Sequence, residues 1–293
     1  IIPLKDMGEL SRKELMTERG KFIEVKNSRI YIEDSGLDSG KEAIILVHGF
    51  GGSTYCWRYT VPVLKENGYR TINIDLKGFG LSTKGFEGDY SHIRQAEIIS
   101  EIMNKLDIKK AHFIAHSMGS NVVFHLANLY PSKIDKLICI GASITYDKSY
   151  SVIETLFPFA PVRRLARHSL RYITDEEQYR NILESAYHRK NIVDEELFKE
   201  YYNRTIVGDW DLALMKISYD SIKNIYTEPL SDFIYPTLLL WGEYDNWVNI
   251  EEGEKLNNNL PNSEFIKVPL AGHLPMEEKP EETNASIIEF LKR

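Results

Sequence analysis

Short apolar runs alternate with amphipathic stretches along the first half of this sequence. Runs at residues 43–47, 71–74, 111–115 and 137–140 are largely apolar and have the length of a strand. Between them lie stretches with apolar residues at helical spacing, such as residues 93–106. Strands that are apolar on both faces and are joined by helices predict an α/β fold, a mainly parallel sheet with helices on both faces.

The N-terminal part follows a different pattern. Ser11 and Glu14 have the spacing of a helix capping box within a polar stretch, so residues 1–19 are predicted to form a peripheral lead-in. Alternating apolar and polar residues at 21–25 and 29–33 then predict an antiparallel hairpin.

The regular alternation also stops in the middle of the chain. Residues 145–231 carry capped helical segments and many aromatic residues but no convincing buried strand, which predicts a helical cap inserted into the sheet domain. Strand-like runs return at 237–241 and 264–268, ahead of a final amphipathic helix. We therefore predict a core of residues 20–144 and 232–293, with a sheet of about eight strands.

Composition and charge exclude several classes of partner. The 293 residues are 43% hydrophobic, which is enough to bury a full core. The net charge is -7 and the charges are interspersed, so there is no basic stripe to hold nucleic acid. No apolar run approaches the roughly 20 residues that a transmembrane helix needs. The histidines and cysteines lack metal-binding spacing, and we expect neither a metal nor a cofactor.

Compartment and assembly have weaker signals. The sequence begins at Ile1 instead of a methionine, as it would if an N-terminal signal or anchor had been removed. Otherwise we expect a cytoplasmic protein. Cys56 and Cys139 lie in the apolar surroundings that are usual for buried, unreactive thiols. No pattern indicates an oligomeric state.

The strongest signal for chemistry lies at residues 111–119. The mainly apolar run AHFIA leads into HSMG and then into a helix, which is the setting of a nucleophile elbow around Ser117. Such a tight turn needs small residues two positions before and after the serine, and Ala115 and Gly119 satisfy this. The alternative is that Ser117 only caps the helix.

A serine nucleophile needs a base, an acid and oxyanion donors. His273 lies in a loop after the last predicted strand, and Asp245 follows the strand before it. The chain order serine, acid, histidine is that of the elbow enzymes. A glycine-rich loop follows the first core strand, so the backbone amides of Phe50 and Met118 are predicted to form the oxyanion hole.

Other titratable residues are weaker candidates. Glu243 could replace Asp245 as the acid, although Asp245 has two more residues of loop in which to aim inward. His116 adjoins the serine in sequence but is expected to point away from the turn. His48 and Asp75 are expected to order their own loops.

Taken together, the residues resemble the α/β-hydrolase superfamily from about Gly20 to Arg293. The resemblance rests on four ordered blocks: HGFGG at 48–52, DLKGFGLS at 75–82, AHSMG at 115–119, and WGEYD with AGH at 241–245 and 271–273. The first block, followed by Ser53, Thr54 and Trp57, looks like that of carboxylesterases and related capped hydrolases. One departure is Ala115, where the usual elbow has glycine.

The resemblance implies roles for individual residues. The family's nucleophile, base and acid correspond to Ser117, His273 and Asp245, and its oxyanion amides to those of Phe50 and Met118. A serine at the elbow argues against haloalkane dehalogenase and epoxide hydrolase chemistry, which uses an aspartate at that position.

These observations favour hydrolysis of small to medium apolar carboxylic esters through an acyl-enzyme, with a small-molecule ester as the partner. Alternatives with the same triad are a carbon-carbon bond hydrolase acting on dienoic diketones, a cofactor-free perhydrolase and an iminopeptidase. An anionic substrate would call for an arginine, which Arg163, Arg164 or Arg167 could supply. A non-enzymatic ligand-binding receptor that kept the fold is a further alternative.

Aromatic residues of the predicted cap are expected mostly to pack within it, with some facing the substrate pocket. They include Tyr146, Tyr150, Phe157, Phe159, Tyr172, Tyr187, Tyr201, Tyr202 and Tyr219.

Overall fold

A computed structural model of the chain describes residues 10–36, 41–144, 159–221 and 226–293. Within these ranges eight strands form one sheet in the order β1-β2-β4-β3-β5-β6-β7-β8. The pairs β1/β2 and β2/β4 are antiparallel and every other neighbouring pair is parallel. The strands are β1 Gly20–Val25, β2 Ser28–Asp34, β3 Ala43–Val47, β4 Thr71–Ile74, β5 Ala111–His116, β6 Ile134–Ile140, β7 Thr237–Gly242 and β8 Ser263–Val268. The predicted, mainly parallel sheet of about eight strands is confirmed.

Helices connect most of the parallel strands. They are α1 Arg12–Leu15, α2 Thr60–Glu66, α3 His92–Lys105, α4 Met118–Leu129, α5 Ala160–Ile173, α6 Glu176–Ser185, α7 Glu195–Ile206, α8 Trp210–Ser221, α9 Ile250–Asn259, α10 Pro275–Glu278 and α11 Pro280–Lys292. Among the described residues, no helix combines the length and the apolar character needed to cross a membrane.

The central strand β3 shows why the core runs are apolar throughout. All five of its residues are buried. Ile45 and Val47 belong to an apolar cluster with residues of α3 and α4, whereas Ile44 and Leu46 belong to a second cluster with residues of α2 and α11. Because successive side chains of a strand point to opposite faces, helices cover both faces of the sheet.

The N-terminal elements agree with the sequence pattern. The side chain of Ser11 caps α1, and Glu14 completes the capping box. Leu15 of the same short helix packs against Tyr31 of β2 and Leu81. The described part of the lead-in is thus attached to the core by the buried Leu15 side chain and by a hydrogen bond from the Thr17 N–H to the Tyr31 hydroxyl at 3.1 Å.

Helices α5 to α8 occupy the chain between β6 and β7, and the described part of that insertion contains no strand. Buried residues of α6 and α7, such as Leu183 and Tyr201, share one apolar cluster with residues of α11. Residues 145–158 and 222–225 lie outside the described ranges. The cap boundaries at 145 and 231 therefore stay a prediction.

Candidate active site

Ser117 lies on a sharp turn between the end of β5 and the start of α4. Its backbone has φ 49° and ψ -121°, a conformation that non-glycine residues seldom adopt. Such a residue costs about 1–3 kcal/mol and persists only where its surroundings hold it. Here its N–H donates to the Ile140 carbonyl at 2.9 Å, and its carbonyl accepts from the Ser120 N–H at 3.0 Å. This is the geometry of the predicted nucleophile elbow.

Two glycines allow the elbow to pack closely against the loop after β3. A Cβ on Gly119 would lie 2.6 Å from the carbonyl oxygens of both Val47 and His48. A Cβ on Gly49 would lie 2.8 Å from His116 Nδ1 and 2.9 Å from Ser117 Cβ. The loop at 48–52 therefore faces the serine, as predicted.

The two predicted oxyanion donors flank Ser117. Met118 is the first residue of α4, so its N–H has no acceptor inside that helix. Phe50 and Gly51 form the middle of a tight turn closed by the Gly52 N–H donating to the Gly49 carbonyl at 3.1 Å. Gly51 has φ 71°, which suits the third position of such a turn. Phe50 follows Gly49, which packs against Ser117, and Met118 follows Ser117 directly, so the role of these two amides as an oxyanion hole stays a prediction.

The structure pairs His273 with Asp245. His273 Nδ1 lies 2.8 Å from Asp245 Oδ2, and both side chains are buried. Asp245 Oδ1 accepts from the N–H groups of Trp247 and Val248, each at 2.9 Å. A carboxylate oxygen accepts, so His273 Nδ1–H donates to Asp245, and Nε2 is the ring nitrogen that does not face the acid.

Glu243, the alternative acid, has other partners. Its carboxylate lies 3.3 Å from Lys267 Nζ and accepts from the Leu270 N–H at 3.3 Å. These contacts hold the pKa of Glu243 below its usual range, the Leu270 amide contributing most. The geometry thus favours Asp245 over Glu243 as the partner of His273.

The serine and the histidine meet at the same end of the sheet. His116, next to Ser117, donates from Nε2 to the His273 carbonyl at 2.9 Å, and the two imidazole centroids are 4.6 Å apart. Burial lowers the pKa of His116 well below its usual range, so this ring is neutral. Among the described residues, no hydrogen bond joins the Ser117 hydroxyl to His273. Such bonds are commonly long before substrate binds and shorten in the complex.

Two buried groups order the surrounding loops. His48 Nε2 accepts from the Leu76 N–H at 3.0 Å and Nδ1 donates to the Gly49 carbonyl at 2.7 Å. Burial lowers the pKa of His48 to about 4. Asp75 accepts from the N–H groups of Thr54 and Leu81, and burial raises the pKa of its carboxyl. Both residues have the loop-ordering contacts expected from the sequence.

Sequence analysis missed three residues beside the histidine. The Trp247 ring stacks on the His273 ring with centroids 5.3 Å apart, and its Nε1 donates to Ser185 Oγ at 3.0 Å. Glu277 and Glu278, within α10, bind groups of the insertion. The sequence signal for these residues was that Trp247 follows Asp245 closely and that Glu277 and Glu278 follow His273 closely. Acidic residues in the first turn of a helix are ordinarily explained by the helix dipole, so the two glutamates did not stand out.

Comparison with known proteins identifies the family. The sequence profile of the α/β hydrolase fold family matches residues 42–280. The chain belongs to the α/β-hydrolase family. This α/β hydrolase is 29% identical over 255 residues to the uncharacterized hydrolase YugF of Bacillus subtilis (strain 168), covering 86% of the chain and 91% of that relative.

A second relative of this α/β hydrolase has a named substrate. It is a 2-hydroxy-6-oxononadienedioate/2-hydroxy-6-oxononatrienedioate hydrolase of Pseudomonas sp, 26% identical over 293 residues, with 95% of this chain and 99% of the relative covered. Among solved structures, the meta-cleavage product hydrolase of Pseudomonas fluorescens IP01 superposes with a TM-score of 0.77. It is 22% identical and the match covers 94% of this chain and 98% of that one, so it shows the fold alone.

Proposed function

We propose that this α/β hydrolase cleaves carboxylic esters of small to medium apolar substrates through an acyl-enzyme on Ser117. The observation that carries the proposal is the strained backbone of Ser117 beside the buried, hydrogen-bonded pair of His273 and Asp245. Strained non-glycine residues cluster at functional sites, and here the strain presents a hydroxyl at the carboxyl end of a parallel sheet.

The reaction follows from the proton positions. Ser117 Oγ attacks the ester carbonyl while its proton passes to His273 Nε2, and Asp245 stabilises the resulting imidazolium through Nδ1. The tetrahedral oxyanion accepts from the N–H groups of Phe50 and Met118. Collapse breaks the bond to the alcohol, which takes the proton from Nε2. Water then attacks the acyl carbonyl while its proton passes to His273 Nε2. Collapse breaks the bond to Ser117 Oγ, which takes that proton back as the acid leaves.

A second candidate is a carbon-carbon bond hydrolase, favoured by the name of the Pseudomonas relative. The same serine would attack a ketone carbonyl, and a stabilised carbanion would leave in place of an alkoxide. A dioate substrate also brings carboxylates that need cationic partners. Arg167 and Arg171 of α5 are both bound to Asp211, at 2.9 and 2.7 Å, and Arg167 also pairs with Asp209 at 3.5 Å, so both arginines already have carboxylate partners. We therefore place ester hydrolysis first.

The test is a substrate panel with a matched inactive variant. Wild-type protein and Ser117→Ala are assayed on aryl and alkyl esters, amides, and a 2-hydroxy-6-oxo-dienoate. We expect ester turnover that Ser117→Ala lacks, together with covalent labelling of Ser117 by a fluorophosphonate. Cleavage of the dienoate at a much higher kcat/KM than any ester would replace the first candidate with the second. Absence of labelling and turnover would favour a binding protein.

A further inference from the structure

Glu278 joins the loop that carries His273 to the helical insertion. Its carboxylate is buried, and Oε2 accepts both from the Gly272 N–H and from the His188 N–H at 3.1 Å. Oε1 accepts from the Arg189 N–H at 2.9 Å. One carboxylate thus binds three backbone amides, one from the residue before His273 and two from the connection between α6 and α7.

The same two segments are also in direct contact. The His273 N–H donates to the Ala186 carbonyl at 2.8 Å. A Cβ on Gly272 would lie 2.6 Å from the Ala186 oxygen and 2.7 Å from the His188 nitrogen, so the two backbones already touch. Any displacement of the residues around 186–189 therefore moves the backbone of His273.

The insertion also contacts the loop that carries Asp245. The His188 ring stacks on the ring of Tyr244, with centroids 4.1 Å apart. Ser185 Oγ accepts the hydrogen bond from the Trp247 indole N–H. Residues 185–189, hereafter the cap clamp, therefore touch the loops of both members of the His273 and Asp245 pair.

We infer that Glu278 is a positioning residue for the catalytic base, acting by tying Gly272 to the cap clamp. The inference rests on the proposed function. Asp245 fixes the direction of the imidazole but not the position of its backbone, which the amide bonds of Gly272 and His273 set. Removing the carboxylate would leave the buried Gly272 N–H and the part-buried N–H groups of His188 and Arg189 without their acceptor. The loop and the clamp would then separate to admit water.

The neighbouring carboxylate provides a matched control. Glu277 is also buried in α10 and also binds the insertion, through the hydroxyls of Tyr187 and Tyr201, with Arg58 as its ion-pair partner at 2.7 Å. Its bond to Tyr187 reaches the cap clamp, whereas its bond to Tyr201 joins α10 to α7, outside the clamp. Tyr201→Phe therefore removes a bond between α10 and the insertion while leaving the bonds of Glu278 in place.

The experiment compares Glu278→Gln with Tyr201→Phe. A carboxamide keeps one acceptor oxygen and turns its NH₂ toward an amide N–H, so at least one bond is lost. Because a misplacement of about 1 Å can cost 10²-fold in rate, we expect kcat to fall about tenfold or more in Glu278→Gln with KM changed about twofold at most. Tyr201→Phe should lower Tm about as much as Glu278→Gln does, because each variant loses a buried hydrogen bond, but it should leave kcat within about twofold of the wild type. Equal kcat in the two variants would overturn the inference.

Two further measurements separate this inference from the proposed function. The rate of fluorophosphonate labelling reports the activation of Ser117 without knowledge of the natural ester, and wild-type protein that does not label would refute the proposed function. The downfield proton resonance of His273 Nδ1–H, assigned by its loss in Asp245→Asn, reports the imidazole whatever the substrate. It should shift or broaden in Glu278→Gln but not in Tyr201→Phe, and an unchanged resonance in Glu278→Gln would overturn the inference.

If Glu278→Gln does not fold, Gly272→Ala tests the same junction. The added Cβ would lie 2.6 Å from the Ala186 carbonyl oxygen, so it would push the His273 loop away from the cap clamp. We expect the same fall in kcat, and an unchanged kcat in that variant would overturn the inference.

Discussion

The unusual backbone of Ser117 is held by residues on both sides of the turn. Its N–H and carbonyl both have backbone partners, which belong to β6, to α4 and to the residues after β6. The strain is therefore fixed by the sheet and the helix, independently of the serine hydroxyl. Replacing that hydroxyl should remove chemistry without removing structure.

We predict that Ser117→Ala and His273→Ala each abolish ester turnover without unfolding the protein. Residues that act as one catalytic unit lose nearly all activity when a single member is removed. Asp245→Asn should retain on the order of 10⁻⁴ of kcat, because an amide holds the wrong histidine tautomer. Steady-state kinetics and thermal unfolding of the same preparations check both halves of the prediction.

Glu243→Gln is the control for the acid. Its carboxylate binds Lys267 and the Leu270 amide, so kcat should stay near that of the wild type. A nearly normal Asp245→Asn together with an inactive Glu243→Gln would reverse the assignment of the acid.

At the scale of elements, the sheet and the elbow were predictable because both are local patterns. A strand buried on two faces is largely apolar, as β3 is at every position, and the elbow is a strand, small residues and a helix within residues 111–119. The positions of His273 and Asp245 followed from chain order. By contrast, Tyr187 and Glu277 lie 90 residues apart, and no periodicity links them.

The predicted cap illustrates the same limit. Tyr187, Tyr201 and Tyr202 are buried as expected, whereas Phe159 and Tyr172 are exposed by 59% and 74%. Tyr146, Tyr150 and Phe157 lie outside the described residues. Helical spacing shows which residues share a face, but whether that face turns inward depends on its neighbours.

Helix α5 shows how a neighbouring helix determines which face turns inward. Arg167 and Arg171 face inward, because the buried carboxylate of Asp211 in α8 requires cationic partners. The two arginines hold the pKa of Asp211 below its usual range against the opposing effect of burial. The expectation that Arg167 serves an anionic substrate is therefore not supported by its contacts.

The contact between α4 and β3 yields a prediction at this scale. A Cβ on Gly119 would meet two backbone oxygens at 2.6 Å, and backbone cannot swing away as a side chain can. We expect Gly119→Ala to destabilise the fold by about 1–3 kcal/mol, the usual cost of overpacking, and to reduce activity by moving the elbow. Urea unfolding with parallel kinetics measures both effects.

Asn128→Ala supplies the control, because residue 128 is exposed near the end of the same helix. It should change stability by less than about 0.5 kcal/mol. Equal stability of the two variants would mean that α4 can move away from β3 without cost.

At the scale of the whole molecule, buried histidines make stability depend on pH. Burial lowers the pKa of four of them: His48 and His92 to about 4, His112 below its usual value, and His116 well below it. Between about pH 6.5 and pH 4, the unfolded chain binds protons at these sites that the folded chain does not. Stability should therefore be greatest above that range and fall as pH decreases through it.

Two acids act in the opposite direction. Burial raises the pKa of Asp75 and of Glu33, so the folded state takes up protons there before the unfolded state does. The four histidines outnumber these two acids, and the lowered pKa values of Asp34 and Asp211 act in the same direction as the histidines. Stability should therefore fall as pH decreases, by about 1.4 kcal/mol per pH unit for each net proton bound on unfolding. Urea unfolding from neutral pH to about pH 4.5 measures this slope.

His92 is suited to testing the origin of the slope, since it begins α3 and lies outside the proposed triad. His92→Gln should reduce the slope by about one proton, while Asn128→Ala should leave it unchanged. A slope identical in His92→Gln and the wild type would show that buried histidines are not its source.

The last prediction concerns substrate size. Phe50 and Trp247 are each 45% exposed, so two aromatic side chains near the proposed triad are accessible to a substrate. The cap clamp is hydrogen-bonded to the loop of His273 and to Glu278, which favours an insertion that stays in place during turnover over one that opens as a lid. Each buried methylene of an acyl chain should add about 0.8 kcal/mol until the pocket is full. Beyond that point, steric exclusion reverses the trend.

We therefore expect kcat/KM on aryl esters to rise with acyl length and then drop sharply beyond about ten carbons, the size that a pocket of roughly 300–1,000 Å³ encloses. A series of p-nitrophenyl esters measures the profile, and emulsified long-chain triglyceride is the contrasting substrate. Preference for the emulsion, with activation at the interface, would contradict an insertion that stays in place during turnover. The bonds between the cap clamp and the His273 loop would then have to break in each turnover, as those of a lipase lid do.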